Sequence, residues 1–394
     1  MTIFVFLPAP KVAGPVNLEA IDTGCQRIYI LPAGQIFFKI SAKIKLKINL
    51  LQAMNIVLHL GMHKTASTYI QNMLELNTDM LNSYRIVCPK YPTQGRDVLI
   101  NSVKKRRFGP WLRLIEKVEP NSTLLISEER LSNVLSQSQS DKLIATNGDW
   151  LAKKIRPYCN KLTTVSFVRD QPAFINSQYC QNIKRLSPHI SLSFDEYVND
   201  VFASRHDFIE CNLLKLFGWS MNNKAIESIF LPFGTTFADN PFYQLVSKLA
   251  PRAELGLWKE VQPINVSPGL LTVHLASRII KYMQSNNFRP DKHERLRLSR
   301  LLLKRTDVLG WNLYKYNAIT KRRYELIRKH YRASNDEFAN TAWGARHWDD
   351  VFPYQWQHSA SNDINIIEYF KIRKERKKFI IKHIGKACSQ SSVS

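Results

Sequence analysis

Four apolar runs of strand length, at 55–60, 122–127, 162–168 and more weakly 228–233, are separated by stretches of helical periodicity at 67–80, 141–156, 172–184 and 207–218. Uninterrupted apolar strands are buried on both faces. Strands that alternate with helices build a parallel sheet with helices on either side. The sequence therefore predicts an α/β fold, a parallel sheet flanked by helices. Apolar positions at helical spacing over 241–250, 268–286, 291–305 and 318–332 add a mainly helical C-terminal half. Such sheets bind ligands beyond the carboxyl ends of their strands. The residues after 60, 127 and 168 are thus where chemistry is expected.

Residues 1–53 read differently. Pro8, Pro10, Gly14, Pro15, Pro32 and Gly34 punctuate them, and Lys43-Ile44-Lys45-Leu46-Lys47-Ile48 alternates in a basic, apolar stretch. Met54 stands directly before the first strong strand, so 1–53 is expected to be a disordered or non-native extension. Residues 54–345 form the α/β domain with its helical second half, and 346–394 form an aromatic and basic end. Cys25, Cys88, Cys159, Cys180, Cys211 and Cys388 show neither zinc-ligand nor disulfide spacing. They read as reduced thiols of a cytoplasmic protein. No apolar run reaches the length of a membrane span. The formal charge of +24 attracts polyanions of several kinds and does not choose among them.

The segment after the first strand is more selective. Gly61-Met62-His63-Lys64-Thr65-Ala66-Ser67-Thr68 joins that strand to the helix starting Tyr69-Ile70-Gln71. Amides and dipole at a helix start, with the hydroxyls of Thr65, Ser67 and Thr68, converge on one anion. Lys64 adds a charge that can follow a phosphate oxygen. A capped helix with Lys64 in solvent is the plainer alternative. The layout is P-loop-like, but Gly61-to-Lys64 is too short for the NTP-binding motif that puts Gly-Lys-Ser/Thr after four intervening residues.

The loop resembles the 5′-phosphosulfate loop of the sulfotransferases, in particular the bacterial and carbohydrate-modifying branch written H-x-G-x-x-K-T-G-T-T-x-x-Q. His59, Gly61, Lys64, Thr65, Thr68 and Gln71 stand in register with it. Ser67 replaces a threonine and keeps the hydroxyl. Ala66 replaces a glycine, which costs energy if the position needs positive φ. The resemblance implies that the nucleotide 3′-phosphate is held by an arginine at a strand end and a serine on the next helix. Arg169 closes the run Thr163-Thr164-Val165-Ser166-Phe167-Val168, and Ser177 follows eight residues later. It also implies a catalytic base at the end of the neighbouring strand, where Leu124-Leu125-Ile126-Ser127 runs into Glu128-Glu129-Arg130. Glu128 is the first choice, Glu129 the alternate, and His63 or His59 could substitute. Fainter similarity continues through Ile264-Asn265-Val266-Ser267 and from Ile327 to Asn335.

These residues lead to an expected sulfotransferase that uses 3′-phosphoadenosine 5′-phosphosulfate and no metal. Lys64 and Glu128 would be catalytic. His63, Lys64, Thr65, Ala66, Ser67, Thr68, Arg169 and Ser177 would bind the donor. The acceptor would be a hydroxyl or amine, with a glycan or glycolipid favoured by the basic surface and by Trp343, Trp348 and Trp356, unless those aromatics are core. The basic run Lys371 to Lys378 suits peripheral contact with an anionic membrane, and no specific nucleic acid is expected. A P-loop kinase and a non-catalytic nucleic-acid-binding protein are the competing readings.

Overall fold

Five parallel strands form one sheet: β1 (Asn55–Gly61), β2 (Ile86–Val87), β3 (Thr123–Ser127), β4 (Lys161–Arg169) and β5 (Glu227–Phe233), in the order β2-β3-β1-β4-β5. The structure is a computed structural model. It describes residues 54–89, 93–138, 145–203, 209–234, 240–254, 257–261, 267–354 and 364–384, together with a two-stranded antiparallel pair, Ile28–Ile30 and Ile36–Phe38. The alternating stretch 43–48 lies outside the described residues, as do Cys25, Cys388, Trp356 and 264–266.

The period-2 alternation of side chains sorts the sheet into two faces. Ile56, Leu58 and Leu60 of β1 join Leu124, Leu162 and Val168 in the larger core cluster. Val57, Leu125, Val165 and Phe167 point the other way, onto Ile70, Met73 and Leu74 of helix α1 (Ser67–Leu76) and Phe242, Leu245 and Val246 of the helix Pro241–Leu249. Burial on both faces explains why the strands read as unbroken apolar runs.

The expected helix 67–80 is two helices, α1 and Thr78–Ser83, because Asn77 breaks it. The Asn77 amide donates to the Met73 and Lys259 carbonyls and accepts from the Lys259 amide. The stretch 141–156 contains the helix Asn147–Ile155, and 207–218 resolves into a 3-10 turn, Ile209–Cys211, before Leu213–Met221. Helix α2 (Gln171–Lys184) follows β4. The helical half consists mainly of α3 (Leu270–Ser285), α4 (Lys292–Val308), α5 (Lys321–Trp343) and α6 (Ile366–Phe379). Helix α5 outruns its expected end at 332 and stops at Gly344, whose φ of 67° provides the left-handed cap.

Helix α5 is clamped to the start of α2. Gln171 and Asn335 exchange two amide hydrogen bonds in the core, at 2.6 and 2.9 Å. Asp170 accepts from Arg328 Nε, the Tyr324 hydroxyl and Trp348 Nε1. Trp348 is buried against Trp343 and Phe352, and Trp343 donates to the Phe230 carbonyl. Trp348 is therefore core and is not available to stack on a sugar, whereas Trp343 is half-buried and packs against that core. Among the described residues no helix is long and apolar enough to cross a membrane.

Candidate functional site

Strand β1 is central. The chain leaving it turns toward β2, whereas the chain leaving β4 turns toward β5. Connections diverge at the β1/β4 boundary, and a crevice opens at such a switch point beyond the carboxyl ends of the strands. The Lys64 loop and Arg169 both stand there, since β1 and β4 are parallel and in register from Asn55↔Lys161 to Gly61↔Phe167.

The loop has an unusual backbone. Lys64 and Ala66 both have positive φ, 70° and 61°. Ala66 thus occupies the conformation that glycine adopts without cost. It is also the N-cap of α1, and no side chain caps that helix. The helices starting at 147, 194, 213, 292, 321 and 366 each have a side-chain oxygen on their first amides. The amides that open α1 have no such partner and no acidic residue in the first turn. A helix start left in this way attracts an anion.

The hydroxyls divide the work. Thr65 is buried and donates to the Met62 carbonyl at 2.7 Å, so it braces the loop instead of donating to a ligand. Ser132, on the short helix Leu131–Leu135 that follows β3, donates to the Gly61 carbonyl and accepts from the Gly61 amide. Thr68 is exposed. Ser67 is buried, and its Oγ has no hydrogen-bond partner among the described residues.

Cations crowd the crevice. Arg169 Nη1 donates to the Lys64 carbonyl at 3.0 Å, and its guanidinium lies over the Phe233 ring. Burial lowers its pKa to about 10, against the opposing field of Asp170. Burial, then Arg185 and Lys184, then Arg169 bring the Lys64 ammonium down to about 8, against the pull of Glu129. Lys184 is itself lowered by burial and by Arg185. Ser177 and Lys184 are seven residues apart on α2 and share one helical face, and Cys180 between them feels the charges of both Lys64 and Arg169. That face is therefore turned to the loop. The sequence reading missed Lys184 and Arg185, although two helical turns from Ser177 would have suggested Lys184.

The acidic residues separate sharply. Glu128 is buried, and both its oxygens accept from Arg130, which also reaches Asp97. Its carboxylate braces the turn after β3. Glu129 faces the loop: His63 Nδ1 is 3.4 Å from its Oε1, and His63 Nε2 is 3.2 Å from Glu210 Oε1. Burial opposes charge on Glu129, but His63 above all, with Lys64, outweighs it and holds its pKa at about 2. Burial likewise opposes charge on His63, and the two carboxylates overcome it, raising the imidazole above its ordinary value. Glu210 sits on the 3-10 turn after residue 208, where no periodicity marks it in the sequence. His59 is unlike His63. It is buried, pairs with Ser127 at 2.8 Å, and desolvation lowers its pKa to about 4, so it is a neutral structural ring.

No protein-family model matches this chain, and no curated protein does either. The functional reading therefore rests on the site itself. A cavity of about 490 Å³ lined by Asp149, Lys153, Arg156 and Asn223 lies at the opposite, amino edge of the sheet and takes no part in it.

Proposed function

We propose that the chain is a sulfotransferase that moves the sulfuryl group of 3′-phosphoadenosine 5′-phosphosulfate to a hydroxyl or amine acceptor. One observation carries the reading. Two motifs separated by 105 residues meet through the hydrogen bond from Arg169 to the Lys64 carbonyl, at the switch point of a parallel sheet. They meet beside a helix start without a side-chain cap and among the cations Lys64, Arg169, Lys184 and Arg185. That arrangement suits a ligand with two separate anionic groups. The 5′-phosphosulfate would lie at Lys64 and the α1 amides, and the 3′-phosphate at Arg169 and Ser177.

In the reaction the acceptor oxygen or nitrogen forms a bond to sulfur as the bond from sulfur to the 5′-phosphate oxygen breaks. Lys64 and the loop amides would stabilise the charge that develops on the leaving phosphate, a role for preorganised donors. The acceptor proton would pass to Glu129, in place of Glu128, whose oxygens are held by Arg130. The low pKa of Glu129 comes in part from Lys64. A bound phosphosulfate would offset that charge and make the carboxylate a better base. His63 would orient Glu129.

The test is release of 3′-phosphoadenosine 5′-phosphate from the sulfated donor, followed by chromatography with a panel of sugar and phenol acceptors. Acceptor-dependent release that is lost in Lys64→Ala supports the reading. Absence of release with every acceptor class, from protein that binds the nucleotide, would remove the transfer step.

A further inference from the structure

Helix α6 is basic, and its two long sides are unlike. Ile372, Glu375 and Phe379 form the buried side, with Glu375 pairing to Arg305 of α4 and to Lys378. At 100° per residue, Ile366, Phe370, Arg373, Lys374 and Lys377 fall on the opposite side. Ile366 is 72% exposed, Ile367 63% and Phe370 55%, an uncommon density of bare large apolar side chains in one turn and a half.

The neighbouring helix extends the surface. Arg305 reaches Glu375, whereas Glu294 and Arg297 lie near enough to His383 to act on its charge, so α4 and α6 run antiparallel. Val308, one turn beyond Arg305, therefore lies toward the opening turns of α6, and it is 74% exposed. Both acidic residues of α6 are already engaged. Glu368 closes the capping box with Asn365, and Glu375 is in its ion pairs. The charge left to face outward is that of the cations.

We propose that this face docks the protein on an anionic lipid bilayer. Ile366, Ile367 and Phe370 enter the boundary between headgroups and acyl chains, and Arg373, Lys374 and Lys377 lie on the headgroup phosphates. Helices that lie in a membrane interface combine these two chemistries on one exposed side. A nucleic acid would engage the cations and leave the isoleucines and phenylalanine without a partner. A second copy of the chain would bring two like-charged helices together.

The test is flotation of the full chain with vesicles of phosphatidylcholine alone or mixed with phosphatidylglycerol. The protein should float only with the mixed vesicles, and salt should weaken the binding. Each cation near an anionic leaflet contributes about fivefold to partition, so Lys374→Gln with Lys377→Gln should lower it roughly 25-fold. Ile366→Ser with Phe370→Ser should lower it by a comparable factor at low and high salt alike. All four side chains are exposed, so the circular dichroism and melting temperature of both variants should match the parent. Failure to float with mixed vesicles would overturn the proposal, as would equal flotation with neutral ones. So would binding that either pair of substitutions leaves unchanged. RNA binding that depends on the lysine pair, without flotation, would reassign the face to nucleic acid.

Discussion

The guanidinium of Arg169 donates to the main-chain carbonyl of Lys64 at 3.0 Å and so joins the end of β4 to the loop after β1. The adjacent carboxylate, Asp170, is turned away, where Arg328, Tyr324 and Trp348 occupy it. Arg169 thus keeps donors that no neighbouring carboxylate has taken. Replacement by alanine should weaken binding of 3′-phosphoadenosine 5′-phosphate by roughly 10- to 150-fold, the worth of a charge-assisted contact of about 1.5–3 kcal/mol. Binding of adenosine 5′-phosphate, which lacks the 3′-phosphate, should change much less. Titration calorimetry with both ligands checks this, and equal weakening would make Arg169 a support of the loop alone.

Arg328→Ala should act on the same ligand indirectly. Its guanidinium also donates to Asp349 and the Phe352 carbonyl. Its loss strips Asp170 of a cation and lets the carboxylate turn toward Arg169. Affinity for the bisphosphate should fall, and Asp170→Asn introduced alongside should restore part of it. No recovery in the double variant would mean that Arg328 acts through stability only.

Ala66 occupies left-handed backbone at φ 61°. Left-handed φ costs a non-glycine residue about 1–2 kcal/mol, and the entropy glycine regains on unfolding returns about 0.4–1 kcal/mol of that. Ala66→Gly should therefore raise stability by up to about 1.5 kcal/mol, read as a higher urea midpoint, with nucleotide affinity unchanged or tighter. A lower midpoint would show that the Ala66 methyl contributes packing that outweighs its backbone cost.

Four of the five strands were legible in sequence because each is an apolar run that stops at a glycine, a glutamate or an arginine: Gly61, Glu128, Arg169 and Gly234. β2 was not, since two residues, Ile86 and Val87, give no period. The choice between Glu128 and Glu129 was also hidden. Adjacent residues at a strand end point in different directions, and only the position of Arg130 decides which carboxylate is held. Glu210 arrives from a 3-10 turn far along the chain, and its pairing with His63 is purely tertiary. Trp348 suited a sugar platform by composition, but burial just beyond the end of α5 makes it core.

The His63–Glu129–Glu210 cluster should leave a signature in stability against pH. His63 is raised above 6.5 in the folded chain, so its stabilisation is fully present below 6.5 and is lost as pH rises through the folded value. Glu129, lowered from 4.5 to about 2, stabilises above 4.5 and loses that contribution as pH falls toward 2. Glu210 is raised above 4.5 by burial, so its charging works against the fold above that value. Relative to His63→Gln, the parent should be most stable between 4.5 and 6.5 and lose its advantage above. Urea midpoints across this range test it. A constant difference between the two proteins would show that His63 does not titrate with the cluster.

Lys64 has its pKa lowered to about 8 by burial and neighbouring cations, so a bound anion should raise it. Binding near pH 8 should therefore take up a proton, visible as a dependence of calorimetric heat on the ionisation enthalpy of the buffer. Lys64→Met should abolish the uptake and lower sulfuryl transfer by orders of magnitude while leaving the melting temperature within a few degrees. Proton uptake that persists in Lys64→Met would assign it to another group.

Calorimetric titration of the parent protein with 3′-phosphoadenosine 5′-phosphate, and separately with ATP with and without Mg²⁺, tests the central claim most directly. The account predicts saturable one-to-one binding of the bisphosphate without metal, and much weaker binding of ATP that Mg²⁺ does not improve. Tight, Mg²⁺-dependent binding of ATP with no preference for the 3′-phosphate would contradict it.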